Sequence, residues 1–493
     1  MTSASRVLAV WLTPAVVLAL PAALAARGPD GLWLGLVLAF TPLMTLGLAS
    51  TYSETTSSGS RGGGGEPLFP VVTLLITVGV LLWANIVLAG DAAAWLGARR
   101  WQGIVVAAVT GWLLTVWRPL RRTAPALLAV ALVAAIVPLV QLGWTTGLGP
   151  LAAWDRVATQ PAFRFPPSSR WVTAGRDLAA ARGGKPLVFE EVHRLTAPAG
   201  GLLRARTLDG SRLAEIEWSL TPGQTVTLRA GDELVRGSAV RLRFESDKRV
   251  PGAPSSGMTW AEDRPRHWLD RVGLLVTLLA GAAALLRAGL TVRLSRRGFA
   301  VVAGGLLITL VWAQGWAIYS TLQAPDLFLG GVTLERLLEL PGPALFAGPV
   351  RRALQALLLA AGLAAFLAST VALRERLGAM DRTGGGEIGH DPGLWAGLFG
   401  GAALASLWPV DPWALTLLAL GGAGCALGPA ALCSPPPGRT IATTAGVVGL
   451  IVFATVAAAQ LRGAGGGLLG AVIGYPALAG APAGALVLWL GRR

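Results

Sequence analysis

Apolar residues in this chain come in long unbroken stretches rather than as one face of a helix or strand. Twelve stand out, over residues 7–26, 31–50, 68–90, 103–117, 124–143, 272–292, 299–319, 353–373, 393–408, 413–432, 441–460 and 467–490. Most approach the roughly 20 apolar residues that carry an α-helix across a hydrocarbon core about 30 Å thick. A helix is the element that satisfies its own backbone polar groups there. The pattern predicts an all-α polytopic membrane bundle of about twelve transmembrane helices. The first stretch also carries signal-peptide features: Arg6, an apolar core and an Ala-Leu-Ala-Ala end. A second stretch follows within a few residues, which favours a retained helix.

Between Leu142 and Arg271 the pattern changes. This segment holds 19 basic and 14 acidic residues, over half of the chain's acids. Its first part is loop-like, with Phe163, Phe165, Pro166 and Pro167 in an extended run. From Lys185 onward short alternating segments appear: Leu187–Leu195, Leu202–Leu208, Leu213–Leu220, Thr225–Arg229 and Ala239–Glu245. Asp209-Gly210, Pro222-Gly223 and Gly231-Asp232 separate several of them as turns. Val226 and Leu228, then Val240, Leu242 and Phe244, alternate with polar neighbours, the two-residue period of half-buried strands. The expectation is a small inserted all-β domain of about five to seven strands, a sandwich or barrel. Three units follow: residues 1–143 with five spans, 144–270 as the β-rich domain, and 271–493 with seven spans.

Composition sharpens the class. Of 493 residues 53% are hydrophobic and 14% charged, against about 25% charged in soluble proteins. Mean hydropathy is +0.60, and a soluble enzyme is excluded. The formal charge is +15, and only Lys185 and Lys248 are lysines. No basic run interleaves with aromatics, so the excess is not a nucleic-acid surface. Arginine placement gives an orientation instead. With the N-terminus inside, fourteen arginines fall in cytoplasmic segments, among them Arg118, Arg121, Arg122, Arg293, Arg296 and Arg297. Seven fall in short external loops: Arg27, Arg99, Arg100, Arg336, Arg351, Arg352 and Arg462. Positive charge gathers on the cytoplasmic side of membrane helices. The expected location is therefore the inner (plasma) membrane, with both termini cytoplasmic and the 144–270 domain outside. Trp33, Trp144, Trp268, Trp408 and Trp413 sit near span ends as interfacial anchors. Cys425 and Cys433, eight residues apart, would stand about 12 Å apart on a helix, too far for a disulfide.

Candidate chemistry is sparse. All 26 acidic residues can be placed outside the spans, and only Arg287 lies well inside one. Ion-coupled carriers need intramembrane charge, so a proton-driven pump is disfavoured. Asn85, Gln141, Gln314, Tyr319 and Gln355 are polar residues within or at the edges of spans, expected to form interhelical hydrogen bonds. The loop Thr383–Asp391 contains Glu387, His390 and Asp391, but one histidine makes a weak metal site and a solvated loop is expected. His193 and His267 are expected to be structural. Thr333–Leu340 places three leucines on one helical face, a short helix lying in the outer interface. No cofactor or metal site is expected.

The outer face carries the one enzymatic constellation: Asp91, Arg99, Arg100, Asp326, Glu335, Arg336, Glu339, Arg351, Arg352 and Asp411. Arginines hold diphosphates and a carboxylate serves as base. Asp411, Arg351, Arg352, Asp326 and Glu335 are therefore the catalytic candidates, for a transferase acting on lipid-linked glycans. The leading expectation is a non-catalytic cell-envelope assembly or complex subunit. Its partners would be the lipid bilayer and another envelope protein or glycan met through residues 144–270. A permease for an uncharged or amphiphilic solute is a third reading.

Overall fold

The computed structural model describes residues 3–13, 30–52, 68–95, 98–117, 149–165, 171–173, 187–209, 212–235, 239–261, 268–287, 295–323, 349–381, 391–408, 410, 412–432, 439–461 and 475–491, with six single positions between 126 and 147. The described part is mostly helical, with one antiparallel sheet region. The described N-terminal helices are α1 (Ser3–Trp11), α2 (Asp30–Tyr52), α3 (Leu68–Trp95) and α4 (Arg100–Val116). The sheet is flanked by α5 (Pro150–Ala158) and α6 (Gly257–Ala261). Then come α7 (Trp268–Arg287), α8 (Arg296–Gln323), α9 (Pro349–Asp381), α10 (Pro392–Ala405), α11 (Pro412–Leu432), α12 (Arg439–Leu461) and α13 (Ala477–Leu490).

Three of these are long and apolar enough to cross a membrane, over Phe69–Ala94, Ala414–Leu432 and Thr440–Ala459, and five shorter stretches are predominantly apolar helix. Several helices depart from the expected boundaries. The helix expected over 7–26 does not run through it, because α1 ends at Trp11 and Leu12 and Thr13 are not helical. The apolar run of α9 ends at Leu373, yet the helix continues through buried Arg374 to Asp381. The last described helix begins at Ala477, and residues 467–474, like most of 124–143 and all of 333–340, lie outside the described residues.

Helix contacts sort the helix ends into two sets. At one end of the bundle Phe69, opening α3, packs on Gly446, early in α12. There too Trp112, late in α4, donates to the carbonyl of Pro392, which opens α10, at 3.2 Å. At the opposite end the Arg100 Nε donates to Asp91 Oδ1 at 2.9 Å, joining the start of α4 to the last turns of α3. Arg100 Nη1 also reaches the Leu407 carbonyl, just past α10, at 3.4 Å. Glycine permits close approach where α7 and α11 cross: a Cβ on Gly424 would stand 2.7 Å from that of Ala280.

Among the described residues the sheet region has eight strands: β1 (Trp171–Thr173), β2 (Leu187–Val188), β3 (His193–Ala197), β4 (Gly201–Asp209), β5 (Arg212–Leu220), β6 (Gln224–Leu228), β7 (Glu233–Leu234) and β8 (Ala239–Phe244). All pair antiparallel, in the order β2-β7-β4-β8-β3-β6, with β1 added on β8 and β5 on β4. β8 joins the two halves. Its start pairs with β4, and further along it pairs with β1 and β3. The expected Leu187–Leu195 strand is two strands: Phe189 extends the β2–β7 register by donating to the Asp232 carbonyl (2.9 Å), and the chain then bends at Glu190 and Glu191 before His193.

The run around Phe163 and Phe165 is irregular, as expected, apart from a single bridge between Arg164 and Arg249, yet both rings are core. The N–H groups of Phe165, Asp247 and Val250 bond the carbonyls of Lys248, Phe165 and Phe163 respectively, which pins that run against residues 247–250. Its rings join Phe189 and Phe244 in the interior, and Phe165 stacks on Phe244 with ring centroids 4.7 Å apart. The region meets the helices through α5. Gly257 donates to the Gln160 carbonyl at 2.7 Å, and α5 packs on both α6 and α8.

Candidate functional site

Of the five catalytic candidates, Asp326, Glu335 and Asp411 lie outside the described residues, while Arg351 and Arg352 fall in the first turn of α9 with side chains outside the description. Glu387, His390, His267 and Cys433 also lie outside it. The described members of the outer-face set are Asp91, Arg99 and Arg100. Asp91 and Arg100 form the half-exposed ion pair that ties α3 to α4 and α10. Arg99 is the N-cap residue of α4, and its backbone N–H is taken by the Gln102 side chain at 2.9 Å. Both arginines are thus engaged at helix junctions. Trp101 and Trp408 stand exposed beside them, as aromatic rings do at a membrane–water boundary.

Asp391 has a local role, its Oδ1 accepting the Gly393 N–H at 2.8 Å to cap α10. Among the described residues no group of three or more His, Cys, Asp or Glu could hold a metal ion.

His193 occupies the centre of the sheet region. Strand alternation turns it inward with Leu195 and Ala197, and it is 1% exposed. Phe165, Phe189 and Phe244 surround it edge-on at centroid distances of 6.2, 5.2 and 6.2 Å. Nε2 lies 3.9 Å from Glu191 Oε1, and Nδ1 has no hydrogen-bond partner among the described residues. Burial depresses its pKa below the ordinary histidine value, Lys248 adds to that, and Glu191 and Glu245 oppose it. The imidazole is a buried core group on β3. Around it the charges pair off: Glu190 with the Arg249 guanidinium, and Glu191 with the Arg249 backbone N–H.

Of the polar residues named in the spans, Asn85 is the one whose side chain is described. It is 2% exposed on α3, and neither its carbonyl nor its amino group has a partner among the described residues. Among the described residues the expected interhelical hydrogen bond is absent there. Sequence reasoning passed over Thr13 and Thr41, which are equally buried and equally unpartnered. No signal in the sequence separates them from threonines such as Thr77, whose hydroxyl bonds the Thr73 carbonyl one turn back at 2.8 Å.

No protein-family model matches the chain, and no curated protein matches it.

Proposed function

We propose that this chain is a multi-pass inner-membrane protein with cytoplasmic termini. It would hold the 144–270 region outside as a non-catalytic docking module for a cell-envelope protein or glycan. The observation that carries this reading is the contrast within one chain. A sheet region with its own aromatic core and polar exterior is tied, through α5 on α8, to helices apolar enough for hydrocarbon.

The helix-end sets favour the same orientation. One set holds the start of α12, where Arg439 stands, and the end of α4, which runs on in sequence to Arg118, Arg121 and Arg122. The opposite set holds Asp91, Arg100 and Leu407. Arginine on the first side and tryptophan at both rims is the distribution expected of a protein oriented by its positive charge.

The test uses full-length protein carrying a photoreactive amino acid at Glu217 or Ser219, on β5, which pairs on one edge only. Irradiation of intact cells should give a discrete crosslinked species that is lost when the label is moved to Ile451 on α12. No crosslink at any β5 position, with only monomer after gentle detergent extraction, would remove the proposal. Protease added to spheroplasts should cut within 144–270; cutting only in inverted vesicles would reverse the orientation.

A further inference from the structure

The longest free edge among the described strands is that of β5. Arg212–Leu220 pairs with β4 at nine consecutive positions and with no other described strand. The other outer strands, β1, β2 and β6, have three, two and five residues. Successive residues of an antiparallel strand direct their N–H and C=O groups to opposite edges. About every second residue of β5 therefore offers both groups to whatever lies alongside. Sheet edges are commonly blunted by proline, a bulge or an inward-pointing charge. β5 contains no proline, its register with β4 has no bulge, and its inward side chains include Ile216 and Trp218, opposite Ala205 and Leu203.

The two faces of this edge differ in chemistry. On the inner face Ala205 and Leu203 are wholly buried, whereas Ile216 and Trp218 are half-buried, so the apolar layer continues to the rim of the described sheet. On the outer face Glu215 and Glu217 stand opposite Arg206 and Arg204. The Arg204 Nε lies 2.9 Å from Glu217, but Arg206 is divided between Glu215 at 4.0 Å and Glu233 at 3.8 Å. Both carboxylates on β5 are more than half exposed, at 56% and 51%. The row of charge nearest the free edge is thus acidic, and Glu215 is its less neutralised member.

That pattern selects the occupant. Residues directly opposite across an antiparallel pair share a face, with Cβ atoms about 5 Å apart, and like charges there repel. A second β5 laid antiparallel about Ile216 would set each Glu215 against a Glu217, so the edge disfavours its own copy. A fitting strand carries basic residues opposite the glutamates and apolar residues opposite Ile216 and Trp218. We propose that β5 is a strand-addition site for an extended segment of another protein in which basic and apolar residues alternate. This inference rests on the docking reading above and deepens it, naming a protein strand rather than a glycan as the occupant.

Full-length protein in nanodiscs of zwitterionic lipid, titrated with a fluorescent peptide of alternating lysine and valine as long as β5, tests this. The peptide is also made with N-methyl groups at alternate residues, in either phase, which keeps every charge. The phase that blocks the paired edge should weaken binding by about ten-fold or more, and the other phase should bind as the parent peptide does. Equal affinity of the two phases would mean attraction by charge alone and would overturn the proposal. Glu215→Gln with Glu217→Gln, both exposed substitutions, should weaken binding by about three-fold; unchanged affinity would overturn the choice of basic residues. A crosslink in cells between the Glu217 positions of two copies would overturn it as well. If the peptide fails to bind while a label at Glu217 still captures one envelope protein or glycan in cells, strand addition falls and the docking reading stands. Failure of both would remove both.

Discussion

Around Phe244 the chain packs the rings of Phe165, Phe189 and His193, all buried, with centroids 4.7–6.5 Å from its own. Where α7 crosses α11 the buried side chains are mainly leucines and alanines, and at Gly424 the two backbones come close enough that an added Cβ would meet Ala280. The sheet region sits in water on the reading above, so removing large rings from solvent drives it together. The helices gain little that way in lipid, where a leucine is as well solvated outside as inside, and their association depends on close van der Waals fit. A ring lost from the first region and a methyl added to the second are therefore the two complementary injuries.

The largest effect is expected from Phe244→Ala, which empties the middle of the aromatic core and costs about 4 kcal/mol. Limited proteolysis of the reconstituted protein should then cut within 187–250 while α10 to α13 stay resistant. Uniform digestion of the whole chain would mean the two regions fold as one unit. Gly424→Val follows, at about 2–3 kcal/mol, since the added carbon meets Ala280 backbone as well as its side chain. Here the sheet region should keep its protease pattern while yield of monodisperse protein in detergent falls.

A third test separates the regions by pH. Because burial depresses the His193 pKa, protonation favours the unfolded chain. Its contribution is complete above the unfolded value of about 6.5 and declines below it, by at most about 1.4 kcal/mol for each pH unit until the folded pKa is reached. The groups facing it are Glu191, Glu245 and Lys248, with Arg249 bonded to Glu191. Melting of the sheet region between pH 7 and 5 should fall in the parent and flatten in His193→Leu; parallel slopes would remove His193 as the cause. The smallest effect belongs to the exposed β4–β5 pair Arg204–Glu217, 2.9 Å apart. Arg204→Ala should change stability by less than about 1 kcal/mol.

Much of the helical part was legible in the sequence because hydrocarbon demands an uninterrupted signal. The apolar runs at 413–432 and 441–460 differ from α11 and α12 by one or two residues. The two-residue period likewise placed Val240, Leu242 and Phe244 inside β8. Other features were silent for physical reasons. Phe163 and Phe165 enter the core from a run held by three backbone hydrogen bonds, which has no periodic signature, and Pro166-Pro167 beside it reads as loop. Counting apolar residues stops at the first charge, so it misses that α9 goes on through Arg374 and Glu375. The outer-face candidates were chosen for residue type, yet the described members, Asp91 and Arg100, are spent on each other. Asn85 stood out as polar, but only geometry shows that nothing answers it.

One feature of α4 reaches beyond the protein itself. Its 17 residues span about 25 Å, and Trp101 and Trp117, 50% and 58% exposed, stand at its two ends. Its neighbour α10 has only 14 residues, about 21 Å of rise. On the multi-pass reading proposed above, a bilayer meeting this flank would thin by several ångströms or recruit shorter acyl chains to cover it. The annulus of lipid on that side would then differ in thickness from the annulus beside the 23-residue α12, giving the protein a preference for where in an uneven membrane it comes to rest.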